Sequence, residues 1–221
     1  MSVIVVGAEK GGVGKTSISV SLAHQAARAG VDVVVLDTDR QKSASRWAEM
    51  RSQTTGVTPL SVLAHSADPL REIASLAKRY SLVVADVGAQ NYKVLLECAL
   101  LADVYLVPTS TSGLDLDSTE EFYRLLQRVR GAKAPGALRV VLNKAPPRQG
   151  SSELSRTRDR LALAGVQALQ TAVTQRSAWR SLANTGLALD ELPKRHSDER
   201  AQQEVRDLYR EVVALMGRRQ K

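Results

Sequence analysis

One cysteine, one phenylalanine and two tryptophans are all that 221 residues contain of those types. Cys98 alone permits no internal disulfide and no cysteine-rich metal site, which argues against a disulfide-stapled fold or an iron–sulfur carrier. It falls in an apolar helical pattern and is read as a core residue. With aromatics at 4%, Val, Leu, Ile and Ala must fill the interior. No apolar run nears the roughly 20 residues of a membrane span. Repeats and low-complexity tracts are missing too. An apolar strand pattern begins at Ser2, so neither a signal peptide nor an N-terminal helix-turn-helix is expected ahead of it. These absences predict a cytoplasmic protein. What is present, 43% hydrophobic residues, suffices for one α/β domain over 1–221 with a sizeable core.

The most informative stretch is 2–19. A β-branched apolar run is followed by a glycine-rich turn, then Lys15 and Thr16, then an amphipathic segment. Strand, glycine loop and helix opening on Gly14-Lys15-Thr16 is the context a phosphate-binding loop requires. Gly11, Gly12 and Gly14 let backbone N–H groups approach phosphoryl oxygens closely. The helix contributes unpaired N–H groups and the positive end of its dipole. Lys15 suits the outer phosphates and Thr16 a Mg²⁺ ion. The expected nucleotide contacts are Lys10, Gly11, Gly12, Val13, Gly14, Lys15, Thr16 and Ser17. The strict motif has glycine five positions before Gly14; here that residue is Glu9, followed by Lys10. Two lysines at one triphosphate make electrostatic sense, whereas an acid beside it must point away.

Three further strand ends carry polar residues. The run 31–37 ends in Asp37-Thr38-Asp39, at the rim where α/β sheets bind ligands. Beside a triphosphate these acids suit Mg²⁺ or the attacking water; otherwise they cap the helix expected at 41–51. The run 81–87 ends in Asp86, an apolar strand followed by a metal-ordering acid, and Gly88 can bring a backbone N–H to the γ-phosphate. A strand at 139–143 ends in Asn143. Helices are expected at 16–28, 68–79, 92–101, 151–163, 174–184 and 198–216, with a capping box at 118–121 opening another to Arg130. Short strands are expected at 59–64, 104–108 and 169–173. The sum is an α/β fold with a mostly parallel twisted sheet, helices on both faces, of P-loop NTPase type.

Charge is unevenly divided. Residues 1–123 hold 11 basic and 14 acidic side chains, and 124–221 hold 20 and 9. Such lopsidedness points to a polyanion, either nucleic acid or an anionic membrane, against a merely solvated basic face. The last helix has an apolar stripe, Val205, Leu208, Tyr209, Val212, Leu215 and Met216. It either packs on the sheet, leaving Arg206, Arg210 and Arg218 outward, or lies on a membrane surface.

Lys10-Gly-Gly-Val-Gly-Lys15-Thr16 resembles the deviant Walker A motif of the ParA/MinD ATPases. Asp37, Asp39, Gln41 and 43–47 resemble the short plasmid-partition branch of that family. Arg40 stands where that branch usually has proline, which puts hydrolysis rate more than nucleotide binding in question. The resemblance implies ATP and Mg²⁺ as cofactors. It implies Lys10, Lys15 and Asp39 as catalytic residues, with Lys10 reaching the other subunit's nucleotide. Thr16, Asp37 and Asp86 would form the metal shell, and Asn143 stands where relatives read adenine, unless it is an ordinary turn residue. It further implies a homodimer formed on ATP, non-specific DNA binding and nucleoid association. The DNA candidates are Arg156, Arg158, Arg176, Arg180 and Arg206. A ParB-like centromere-binding adaptor would stimulate hydrolysis and so drive DNA partition. Two alternatives remain: a MinD-like membrane-cycling ATPase, with membrane the less expected partner, and ParA-like positioning of a non-DNA cargo.

Overall fold

The computed structural model describes residues 1–64, 68–90, 92–131, 136–147 and 152–217. Arg218, the tail after it and Ser151 lie outside the described residues. In chain order the elements are β1 (Ser2–Gly7), α1 (Lys15–Arg28), β2 (Val33–Asp37), α2 (Ser43–Ser52), β3 (Ser61–Ala64), α3 (Pro69–Leu76) and β4 (Leu82–Val87). Then follow α4 (Tyr92–Leu101), β5 (Val104–Thr109), α5 (Gly113–Arg130), β6 (Ala137–Leu142), α6 (Ser152–Leu163), α7 (Ser177–Thr185) and α8 (Glu199–Gly217).

The strands form one six-stranded sheet ordered β3-β2-β4-β1-β5-β6, and each neighbouring pair runs parallel. β1 and β4 lie at the centre, and all but one residue of the two strands is buried. That is why they read as unbroken apolar runs: a parallel sheet covered on both faces needs no polar side. Alternate residues still serve opposite faces. Val3, Val5, Val83 and Ala85 pack under α3 to α6 with Ile73, Leu95, Phe122 and Leu161. Ile4, Val6, Val35 and Val84 pack under α1, α2, α7 and α8 with Ile18, Trp47, Leu182 and Leu208. Cys98 is buried in the first of these cores, as its pattern implied.

The stripe of α8 is spent on the second core. Val205, Leu208 and Val212 are buried there, with Tyr209, Leu215 and Met216 partly buried against them. No described helix is long and apolar enough to cross a membrane.

A buried polar network ties α1 and α2 to the loop after α7. Arg51 places both terminal nitrogens on Glu191, at 2.6 and 2.8 Å, and also donates to the carbonyls of Gly186 and Thr58. Its guanidinium lies over the Trp47 ring at 5.0 Å. His24 and Arg28 both reach Asp190. Burial pushes both carboxyls up, but His24 at Asp190 and Arg51 at Glu191 outweigh it and hold each at about 2.

Two expectations are corrected. α5 begins at Gly113, not at a box opened by Ser118; the Ser118 hydroxyl donates backward to the carbonyls of Leu114 and Asp115 inside the helix. Residues 169–173 do not form a strand. Isolated bridges flank them, Val140 with Ala168 and Ala145 with Thr174. Leu169 N–H bonds Val140 and Val173 N–H bonds Leu142, so four residues advance where β6 advances two, and the ladder breaks. The outward amides are taken by α8: Gln170 and Thr171 donate to Glu211, and Thr174 donates to Glu204.

Candidate active site

Strand register brings the polar strand ends to one edge. Asp37 lies opposite Asp86 across β2 and β4, and Gly7 lies opposite Val87 across β1 and β4. The loop after β1 turns into α1 at Gly14, whose φ of +91° suits only glycine. No side chain caps this helix and no acid occupies its first turn, so its amide end is open to an anion. A Cβ on Gly14 would also meet the Asn143 amide nitrogen at 2.1 Å. Asn143 donates from that nitrogen to the carbonyl of Val13 at 2.6 Å. It thus braces the phosphate loop from the end of β6, a role that neither expectation for it contained.

Lys15 is buried, and its ammonium donates to the carbonyl of Lys10 at 2.8 Å. Burial lowers its pKa, opposed by the charges of Asp86 and Asp39. Thr16 donates to one oxygen of Asp86 at 2.7 Å and Ser19 to the other at 3.1 Å. Burial pushes the Asp86 carboxyl up to about 7 despite these bonds. Ser19 escaped the sequence reading; its spacing three residues after Thr16 on one helix face is the signal that finds it.

Asp37 is fully engaged in structure. One oxygen accepts the Asp39 N–H at 3.1 Å; the other accepts both the N–H and hydroxyl of Ser45 at 2.8 Å. It thereby fixes the Asp39 loop and the start of α2 at once. These bonds are those of the helix-capping expectation, and Asp37 also lies in register with Asp86 on the next strand. Asp39 accepts the Gln41 N–H on one oxygen. Gly88 is packed against it: a Cβ there would stand 2.8 Å from the Asp39 carboxyl carbon. Gly11 and Val13 complete the loop, and Ser17 lies in the first turn of α1. A cavity of about 1470 Å³ opens from it between α2 and α7, reached by Gly12, Lys15, Asp39, Arg46, Trp179 and Arg180.

Lys10 stands apart from this cradle. Its ammonium bonds Asp115 at 2.6 Å and the Leu114 carbonyl at 2.9 Å, at the start of α5. Burial raises the pKa of the Tyr92 hydroxyl on α4, and the nearby Glu9 carboxylate adds to that rise.

The DNA candidates divide. Arg156 and Arg180 are exposed, and among the described residues Arg206 bonds its helix neighbour Gln203. Arg158 instead donates to the carbonyls of Leu169 and Gln170. Arg176 is 11% exposed and paired with Glu204 and Asp198. The heads of both are held by acceptors of their own chain.

Residues 4–189 match the family described as the CobQ/CobB/MinD/ParA nucleotide binding domain. The Maintenance of carboxysome distribution protein A of Gloeobacter kilaueensis is 32% identical over 188 residues, covering 81% of this chain and 80% of that protein. Protein ParA of Rhizobium radiobacter is 26% identical over 191 residues, covering 84% of each. The solved structure of a Cyanothece McdA variant in complex with ATP shares the fold, with a TM-score of 0.74 at 12% identity over 97% of each chain. The loop geometry, the acids on the sheet rim and these similarities agree, and the chain belongs to the CobQ/CobB/MinD/ParA nucleotide-binding family, with the P-loop α/β fold of the ParA and MinD ATPases.

Proposed function

We propose that residues 1–221 act as one ParA-type ATPase domain that closes into a homodimer on ATP, holds DNA without sequence preference and partitions plasmid or chromosomal DNA. A ParB-like centromere-binding partner would stimulate its hydrolysis. The observation that carries the reading is the pair of lysines on one loop. Lys15 is buried at the cradle, while the Lys10 ammonium turns away from it to Asp115 on α5, so the loop carries one more cation than its own cradle uses.

The residues divide the work. Backbone amides of 11–16 and the Lys15 ammonium bind the phosphates. Thr16 and Asp86 are hard-oxygen donors already in register, and among the described residues no group of three or more His, Cys, Asp or Glu could hold a metal alone. That donor set fits magnesium, which takes one or two protein ligands plus phosphates and water. Bound there, the ion would neutralise charge building on the phosphoryl oxygens. Asp39, fixed through Asp37 and Gln41, orients the attacking water from the far side of the cradle. Gly88 lets its loop close on Asp39 without a side chain between.

DNA retention with ATP, ADP or no nucleotide, at two salt concentrations, tests the reading. Retention with ATP alone, weakening steeply with salt, is expected; equal retention in all three removes the nucleotide switch. A second reading, positioning of a non-DNA cargo, is favoured by the relative named for carboxysome distribution. It predicts the same ATP-dependent DNA hold but a cargo other than DNA displaced when the gene is deleted. Against a membrane cycle stands the α8 stripe, already covered by the core; liposome flotation without DNA retention would reverse that choice.

A further inference from the structure

Asp86 is 1% exposed, and each of its carboxylate oxygens meets a hydroxyl of α1. Thr16 donates to one oxygen at 2.7 Å and Ser19 to the other at 3.1 Å. The two donors lie three residues apart on one face of one helix, so a rigid element holds both ends of the carboxylate. Ser19 is itself fully buried and has a second acceptor one turn back, the carbonyl of Lys15 at 3.0 Å. A hydroxyl has one proton to give, and an ionised carboxylate takes it in preference to a carbonyl. Ser21 offers the contrast: its hydroxyl is buried on the same helix without a partner among the described residues.

A carboxylate held at one oxygen can rotate about its last bond; held at both, it keeps one orientation. The charges of Lys15 and Asp86 act on each other, yet the Lys15 ammonium bonds the Lys10 carbonyl instead. Without Ser19, one oxygen of Asp86 would be a buried acceptor lacking a donor, with the charge of Lys15 drawing it.

We propose that Ser19 is a positioning residue for the magnesium seat, keeping Asp86 turned toward Thr16 and off Lys15. The Thr16 proton then stays on Asp86, its oxygen lone pairs are left to the ion, and Lys15 is left to the phosphates. This role rests on the reading that Thr16 and Asp86 hold magnesium beside a bound triphosphate.

The test measures affinity for a fluorescent ATP analogue, with magnesium and with EDTA. It compares wild type, Ser19→Ala, Ser19→Thr and Ser21→Ala, each checked for folding by its melting curve. Magnesium should tighten binding to wild type. In Ser19→Ala that tightening should shrink about tenfold, the size of one hydrogen bond to a charged group. Ser19→Thr keeps the donor and should regain most of it. Ser21→Ala removes an unbonded hydroxyl and should behave as wild type. If magnesium tightens binding to Ser19→Ala as much as to wild type, Ser19 has no bearing on the seat and the inference is overturned. If affinity falls by the same factor with magnesium and with EDTA, or if Ser21→Ala loses as much, Ser19 only supports the helix and the inference is overturned too. A wild type that binds the analogue equally in both conditions removes the magnesium reading itself, and this role with it.

Discussion

The rim of β1, β2 and β4 and the surface of α6 to α8 both carry many charges, but they hold them differently. At the rim the charges are on short side chains at strand ends or on Lys15, and each is pinned by backbone geometry. Asp37 and Asp86 are neighbours because their strands are in register, and Asp39 is placed by Asp37. On α6 to α8 the cations sit on long stems and bind what is nearest. Arg158 satisfies two carbonyls, Arg160 pairs with Asp117 and Glu120, Arg176 with Glu204 and Asp198, and Arg210 with Asp207. The lesson is that the excess of basic over acidic residues after residue 123 overstates the charge offered to a polyanion. Arg156 and Arg180 are better candidates for it than the more numerous paired ones.

The sharpest way to break this comparison is at the rim. Lys15→Ala should cost on the order of 100-fold in ATP affinity or turnover, because a preorganised cation at the phosphates is removed; titration with a fluorescent ATP analogue checks it. Gly88→Ala should leave nucleotide affinity near wild type but lower kcat about tenfold or more, since its Cβ must push Asp39 off position. If Gly88→Ala turns over normally, the close packing of the two loops has no bearing on chemistry.

A middle-sized effect concerns the buried network under the rim. Arg51→Met should lower stability by about 3 kcal/mol, by stranding Glu191 in the interior. The same carboxylates predict acid sensitivity. Asp190 and Glu191 fall from 3.8 and 4.5 to about 2 on folding. Depressed carboxyls stabilise fully above their unfolded values, and that contribution is lost as pH falls through about 2. Denaturant midpoints should therefore drop between about pH 4 and pH 2, and by less in Glu191→Gln. The smallest effect separates the two kinds of arginine. Arg180→Ala should weaken DNA retention a few-fold for all sequences and reduce the salt slope by about one ion, as loss of one phosphate contact does. Arg176→Ala should instead lower stability by about 1–3 kcal/mol, since the buried Glu204 keeps its bonds from Thr174 but loses its cation. Equal effects of both on DNA would erase the distinction.

Most of the architecture was legible because buried parallel strands leave continuous apolar runs between turns, and glycine and Asp at their ends mark the rim. The glycine loop before α1 and the placement of Asp86 and Gly88 at the rim followed from residue types at the ends of apolar runs. What failed was set by tertiary contacts. The start of α5 at Gly113 carries no strong cap, so the Ser118 pattern looked the better opening. Residues 169–173 alternate like a strand, but a two-residue excess beside β6 has no local signature. Asp115, Ser19 and the bracing role of Asn143 depend on partners 105, 67 and 130 residues away. Where an arginine head turns is likewise decided by distant carboxylates.

The amides of Gln170, Thr171 and Thr174 have a consequence for this chain's handling. They form a ragged sheet border whose donors are covered by two glutamates of the final helix. Strip that helix away, by proteolysis or truncation, and the border becomes an open seam able to stitch onto a neighbouring molecule. The last helix is thus also a guard against self-association in the crowded state in which such a protein is made.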